Sequence, residues 1–316
     1  MKNILPILTL TLLLLSSCKT GTGSKAAPRP FPMCEVPAMY SSPDDRIAYG
    51  AEHYWDKFFI PGQVTDSSLV CGVPNQDVEQ AVSNYIYLLN MEPKATAQAQ
   101  VAAFFSKLET AQKQEPNGLL YLRMTEIVSS YLYDPNSPYR DEDLYLPFVR
   151  GMAASECTSE NVRHAYEYEA AMCAMNQWGQ QVPDFRYVDA RGRSHRLYDT
   201  KADYTILFFS NPGCQDCRDI INTLTSREYL DPAIKSGSLA VVNIYIDEDV
   251  KAWKEYEPNY PRNWSTGYDP DLVIRNNELY CVRAIPSLYL LDTDKKVIFK
   301  DAPVERVLAF LDEIQQ

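Results

Sequence analysis

The hydrophobic pattern of this chain changes period near residue 179, and that change divides it in two. Before it, apolar residues recur at helical spacing: Ile47, Ala51, Trp55, Phe58 and Phe59 after the acidic start SPDDR, then Val78, Ala81, Val82, Tyr85 and Leu89 after PNQD. Further stripes run through Val101, Phe104, Phe105 and Leu108, through Leu120, Met124, Ile127 and Tyr131, and through Val162, Tyr166, Ala170 and Cys173. They predict five or six helices over about 40–178, joined by Pro- and Asn-rich turns such as DPNSPYRDEDLY. The segments share no fixed period, which argues against a solenoid. The dense aromatics, HYWDKFF above all, read as core because they too fall at helical spacing.

From about 179 the period shortens. VPDFRYVDARGRSHRLYD predicts two short strands around a turn at Ala190-Arg191-Gly192. An apolar run at Tyr204–Phe209 predicts a buried strand, followed by a helix with its stripe at Cys217, Ile220, Ile221 and Leu224. LAVVNIYID at 239–247 predicts a second buried strand, and a short helix containing Trp253 follows. IPSLYLLDTDKKVIFKD predicts two strands with a turn at Thr293-Asp294, and VERVLAFLDEI a closing amphipathic helix. The expected class is α plus α/β: an N-terminal helical domain, then an α/β sandwich with a mixed sheet.

The N-terminus sets the compartment. MKNILPILTLTLLLLSSC has one basic residue, an apolar run from Ile4 to Leu15 too short to span a bilayer, and two serines before Cys18. This pattern predicts an export signal over 1–17. The order Leu15-Ser16-Ser17-Cys18 resembles a bacterial lipobox, which implies cleavage before Cys18 and lipidation (palmitate) of that cysteine. An ordinary secretory signal with an incidental cysteine is the plainer alternative. Lys19 after the cysteine implies, by the same resemblance, an outer-membrane lipoprotein facing the periplasm. Residues 18–39, rich in Gly, Ser, Lys and Pro, read as a tether, leaving 40–178 and 179–316 as the two folded domains. Losing residues 1–17 removes only Lys2 and moves the formal charge from −12 to −13. Such a chain is poorly suited to nucleic acid or anionic lipid, so the lipid is the expected sole contact with the membrane.

Eight cysteines carry the candidate chemistry. Cys214 and Cys217 stand two residues apart where a buried strand turns into a helix. A zinc site needs a second close Cys/His pair, and Cys34, Cys71, Cys157, Cys173 and Cys281 each stand singly, so no metal and no cofactor is assigned. A purely structural bridge over so short a loop constrains little chain entropy. The remaining reading is redox. Cys217 begins the buried helical stripe, whereas Cys214 sits at the open first turn, where unpaired N–H groups and the helix dipole stabilise a thiolate. Cys214 is therefore the candidate nucleophile and Cys217 the candidate resolving thiol. Cys34 with Cys71 is an open pairing. Cys157 and Cys173 fall at opposite ends of one predicted helix, too far apart to pair, and five single cysteines leave at least one unpaired.

VPDF, the motif Cys214-Gln215-Asp216-Cys217 after a hydrophobic strand, and YCVRAIPSLYLLD together make 180–316 resemble the thioredoxin superfamily, in its TlpA/ResA-like envelope branch. RIAYGAEHYWDKFF and YDPNSPYRDEDLY resemble the helical domain of unknown function that precedes such domains in envelope lipoproteins. The resemblance implies a thioredoxin-like fold, with Pro286 as the cis-proline beside the disulfide and Ile285 with it lining the substrate groove. Departures are visible. Gly213 replaces the usual Trp, and Phe208 stands where thioredoxin carries a buried carboxylate, which leaves Asp184 or Asp216 as candidate proton acceptors. Asp216 and Arg218 pull the thiolate balance in opposite directions. Cys281, five residues before Pro286, is either a third thiol near the site or a buried free cysteine, the plainer reading. Asn211, where peroxiredoxins carry Thr or Ser, argues against peroxide chemistry.

The expected function is a lipid-anchored periplasmic thiol–disulfide oxidoreductase. It would reduce envelope proteins through Cys214/Cys217 and be re-reduced by a donor the sequence does not name. The alternative is an envelope binding or assembly module in which the helical domain docks a partner and the thioredoxin-like half is secondary.

Overall fold

The computed structural model describes residues 27–115 and 118–314. Cys18 and the expected signal segment 1–17 lie outside the described residues. The helical region comprises α1 (Pro43–Glu52), a hairpin of β1 (Leu69–Val70) and β2 (Val73–Pro74), then α2 (Asn75–Asn90), α3 (Lys94–Gln112), α4 (Leu119–Leu132), α5 (Glu142–Ala154) and α6 (Glu160–Cys173). Local chemistry sets several ends. Ser42 Oγ caps α1 by accepting from Asp45 N, with Pro43 in the first turn, and Asp141 caps α5 by accepting from Leu144 N. Pro147 lies inside α5 and has no N–H for the carbonyl of Asp143, and the Gln98 side chain donates to that oxygen at 2.8 Å instead. Helices α3 and α5 approach closely because Gly151 has no Cβ to meet the Phe105 ring.

Two features depart from the periodic reading. Helix α1 ends at Glu52, so Trp55 and Phe58 reach the core from a run of turns rather than from a helix face. The β1–β2 hairpin, unsuspected from the pattern, turns on Cys71 and Gly72, both at positive φ. The described part of the 18–39 stretch does more than link. Arg29 Nη2 donates to Phe58 O and its Nε to Cys71 O, and Phe31 packs against Tyr54, Trp55 and Phe58.

The second region contains β3 (Arg186–Val188), β4 (Ser194–Arg196), β5 (Tyr204–Phe209), α7 (Gln215–Thr225), α8 (Leu230–Ser236), β6 (Leu239–Tyr245), α9 (Val250–Tyr256), β7 (Ser265–Tyr268), α10 (Val273–Asn276), β8 (Ser287–Leu291), β9 (Val297–Phe299) and α11 (Val304–Ile314). The strands form one mixed sheet in the order β4-β3-β7-β6-β5-β8-β9. Strand β5 pairs in parallel with β6, as Phe208 opposite Asn243, and antiparallel with β8, as Phe208 opposite Leu288. Its alternation builds both cores: Ile206 and Phe208 pack with Leu224, Leu230, Val307 and Leu311 on one face, and Leu207 and Phe209 with Ile274, Tyr280 and Tyr289 on the other. The class is the expected one, though β7, α8 and α10 carry too few apolar positions to stand out in the sequence.

A buried ionic seam joins the two regions. Glu142, at the start of α5, is 1% exposed; it accepts from Arg283 Nε at 2.5 Å and pairs with Lys300 Nζ at 3.0 Å. Lys300 is wholly buried and also donates to the carbonyls of Cys173 and Met175 at 2.7 and 2.8 Å. Asp141 pairs with Lys94 of its own region at 2.8 Å and with Arg306 of α11 at 2.7 Å. Burial opposes ionisation of Asp141, but Arg306 and Lys94 outweigh it and hold its carboxyl well below the usual range.

A depressed folded-state pKa contributes stability that is fully present above the unfolded value near 4 and is lost as pH falls below it. Asp141→Asn keeps the helix cap but leaves two cations facing a neutral amide. It is expected to cost roughly 2–4 kcal/mol at pH 7, with the gap to the native protein narrowing as pH falls below about 4. Urea unfolding at pH 7 and pH 3 measures both; a gap that does not narrow assigns the loss to packing instead.

Candidate active site

Strand β5 is buried from Thr205 onward and ends at Phe209, so the chain must leave the sheet through Ser210–Gly213 before α7 begins. Ser210 is buried and donates to Asn243 Oδ1 at 2.6 Å. Gly213 turns the chain at φ +75°, in the left-handed region. A tryptophan, or any other L-residue, would be strained at this φ. Cys214 then serves as N-cap of α7, and its carbonyl accepts from Arg218 N. Cys214 and Cys217 are joined by a disulfide with Cα atoms 5.3 Å apart. Cys214 Sγ accepts from Cys217 N at 3.1 Å, so the sulfur sits over the unpaired N–H groups of the first turn.

The two sulfurs differ in surroundings. Cys217 is 2% exposed and packs in the apolar core with Phe208, Leu224, Leu288 and Ala302. Cys214 is half-buried at the edge of that core, where Ile285 also packs. The Ile285-Pro286 peptide bond is cis, and both residues are half-buried immediately before β8. The tertiary fold thus brings Cys214, Cys217, Ile285 and Pro286 to one end of the sheet.

Neither candidate proton acceptor joins them. Asp184 is held at its own strand, accepting from Arg196 Nε at 2.7 Å and from Tyr198 N at 3.1 Å. Asp216 is exposed on the outer side of α7, and Arg218 reaches Gln215 rather than a sulfur. Phe208 is wholly buried and meets the Trp264 ring edge-on, so the place of the usual carboxylate is filled with hydrocarbon.

A polar set unmarked in the sequence adjoins the turn. Asn211 Nδ2 donates to Asp247 Oδ2 at 2.8 Å, Arg275 Nη1 holds Asp247 Oδ1 at 3.1 Å, and the Asn211 carbonyl accepts from Cys214 N. Its signal was present only as "SNPGC" and "IYID", stretches with no shared pattern whose Asn211 and Asp247 stand 36 positions apart.

The remaining cysteines lie elsewhere. Among the described residues five are unbridged: Cys34 and Cys157 half-buried, and Cys71, Cys173 and Cys281 buried. The Cys34–Cys71 pairing is not formed. Cys157 precedes α6 and Cys173 ends it, so they stand at opposite ends of that element. Cys281 is wholly buried in the seam, its sulfur 3.7 Å from Glu142 Oε1, and burial and that carboxylate push its thiol far above the ordinary range. Among the described residues, no group of three or more His, Cys, Asp or Glu is arranged to hold a metal ion. The Nδ1 atoms of His53 and His164 pair with Asp56 and Glu167, three residues on from each. The helical region has a cleft of about 410 Å³ lined by Phe59, Ile60, Lys107 and Leu120, while Trp55, at its floor, is 1% exposed.

Residues 14–176 match the family described as a domain of unknown function, DUF5106. A thioredoxin-like protein from Bacteroides caccae is 31% identical, with the match covering 91% of this chain and 99% of that one at a TM-score of 0.77. This chain is a DUF5106-family protein with a thioredoxin-like second half. Shorter matches lie over that half. The C-terminal domain of an uncharacterized Bacteroides fragilis protein is 39% identical over 43% of this chain and 98% of its own, at a TM-score of 0.42. The thioredoxin domain of a thiol-disulfide oxidoreductase from Bacteroides vulgatus is 22% identical over 43% of this chain and 96% of its own, at 0.39. No curated protein matches.

Gly213→Ala tests the turn. Nothing lies within 4 Å of the added Cβ, so the cost is conformational alone. It is expected to be about 1 kcal/mol, read as a fall in the midpoint of denaturant unfolding of the oxidised protein. A neutral result would mean that the turn relaxes to negative φ.

Proposed function

We propose that this protein is a thiol–disulfide oxidoreductase of the cell envelope that reduces disulfides in exported proteins. The observation that carries the reading is the asymmetry of the Cys214–Cys217 pair: one sulfur half-exposed over the first turn of α7, the other enclosed by hydrocarbon. A thiolate at Cys214 is favoured by the helix N-terminus and is open to attack a substrate disulfide. That attack forms a Cys214–substrate mixed disulfide and expels one substrate thiolate, which takes a proton from solvent. Cys217 then loses its proton and attacks Cys214 Sγ. The second substrate thiol leaves, two electrons have passed to the substrate, and the Cys214–Cys217 disulfide is restored. A dithiol donor must reduce it before the next turnover.

With Phe208 in place of a carboxylate, the Cys217 proton has no buried acceptor at that strand position. Delivery to the envelope would follow from the 1–17 signal and lipidation at Cys18, with the protein facing the periplasm from the outer membrane. Residues 40–178 and 179–316 would then act as the two domains of one tethered molecule.

Cys217→Ser in the native envelope is expected to accumulate mixed disulfides through Cys214, visible as reductant-sensitive adducts whose partners mass spectrometry identifies. Cys214→Ser should abolish them. If neither variant traps a partner and neither changes the cell, the binding-module reading replaces this one. In the folded, reduced protein, an alkylating reagent should modify Cys214 before Cys281, by about tenfold or more in rate, because only Cys214 combines access with a thiolate-stabilising site. Equal rates would place Cys281 within reach of solvent and overturn its reading as a buried free cysteine.

A further inference from the structure

The segment that ends in Ile285-Pro286 has little regular structure of its own. Residues 281–286 belong to neither α10 nor β8, so their placement depends on what their backbone and side chains reach. Much of that support comes from the helical region and the short link after it. Asn176 spans the segment's start, its Nδ2 donating to Leu279 O at 3.2 Å and its Oδ1 accepting from Cys281 N at 3.3 Å. Arg283, three residues before Pro286, is gripped more firmly. Its Nε donates to Glu142 Oε1 at 2.5 Å, its Nη1 to Tyr133 O at 2.6 Å and its Nη2 to Asp301 Oδ2 at 3.2 Å, while its guanidinium lies 3.9 Å over the Tyr133 ring. The third partner is itself fastened across the seam, because Arg140 Nε donates to Asp301 O at 2.7 Å.

This arrangement is poorly explained by stability alone. Burying charges costs solvation, and apolar residues of the same volume would commonly hold two surfaces together as well or better. What a guanidinium shared among three fixed acceptors and a ring supplies is one position, since its planar fork satisfies them in a single orientation. The position so defined is that of a loop whose far end, Ile285, packs in the same cluster as Cys214. The helical region therefore holds the loop that leads to Ile285-Pro286 while touching neither sulfur in any contact described above.

We propose that Arg283 is a positioning residue, through which Glu142 and Tyr133 of the helical region hold the Ile285-Pro286 loop in the place where it receives an extended substrate chain beside Cys214. The proposal rests on the oxidoreductase reading and gives the DUF5106 region a task within it: setting recognition of polypeptide disulfides, not the reactivity of the thiols.

The test uses the full chain with two disulfide substrates: a synthetic peptide with one disulfide in an extended sequence, turned over with dithiothreitol as the electron donor and corrected for its direct reaction, and 5,5′-dithiobis(2-nitrobenzoate), which is too small to need the groove and is mixed with pre-reduced protein freed of donor. Arg283→Met and Glu142→Gln are each expected to raise KM for the peptide by about tenfold, the loss expected for one charge-assisted hydrogen bond. Neither should change the rate of the reduced protein with the small disulfide by more than about twofold. Arg283→Lys should recover only part of the peptide KM, since a point charge cannot reproduce the fork. If peptide and small-disulfide rates fall together in both variants, the seam is merely structural and the proposal fails. It fails equally if the peptide KM is unmoved. A native protein inert toward both substrates would overturn the oxidoreductase reading itself, an outcome separable from the others because it appears before any substitution is made.

Discussion

One buried carboxylate constrains this molecule more than any other group. Glu142 opens α5 almost free of solvent, and a charge in that setting is tolerable only with partners supplied in place. The partners, Arg283 and Lys300, come from the other half of the chain, at the loop before β8 and just after β9. Lys300 is in turn completed by carbonyls at the end of α6, and burial, which works against its charge, is outweighed by Glu142 and Asp143. Neither region could present these groups alone without leaving uncompensated charge in an apolar surface. The two halves are thus bound by an electrostatic requirement as well as by packing, and the requirement falls on the stretch that leads to Pro286.

The redox pair depends on a different economy, that of the sheet. Strand β5 is enclosed on both faces, so its residues alternate between two cores, and the helix that follows must start where the enclosure ends. Cys217 falls inside and Cys214 at the boundary for that reason. The same enclosure makes Phe208 an ordinary core residue, packed with Leu224, Leu288 and Trp264. A carboxylate there would need a partner that the surrounding hydrocarbon does not offer. The absence of a buried acid on this strand is therefore matched by a complete apolar packing around it.

The DUF5106 match covers the helical region without saying what that region does. Its interior is an aromatic core: Trp55 stacks on Phe104 and meets Tyr85 edge-on, and Phe148 joins from α5. These rings are spent on the region's own stability. Groups that face outward across the seam include Arg140, Asp141, Glu142 and the Tyr133 and Cys173 carbonyls, and through such groups the region can act on its neighbour.

Much was legible in the chain itself, and for a physical reason. Helical stripes, the two buried strands, the closing helix and the strand-to-helix placement of Cys214 and Cys217 follow from periodicity, which operates over a few residues and leaves its mark in order along the sequence. The family likeness was carried by motifs equally local. Short β7, α8 and α10 were not legible, because neighbours hold them in place rather than their own pattern. The hairpin at Cys71-Gly72 and the early end of α1 depend on φ angles and contacts that composition does not encode. Above all, only the tertiary structure decided where charges meet. Nothing in the sequence marks Asp141, Glu142, Arg283, Lys300 or Arg306 as partners, since an ion pair between positions more than 140 apart has no period. The chain determined that a dithiol stands at a helix start; the fold decided what surrounds it and which residues of the other half hold its neighbouring loop.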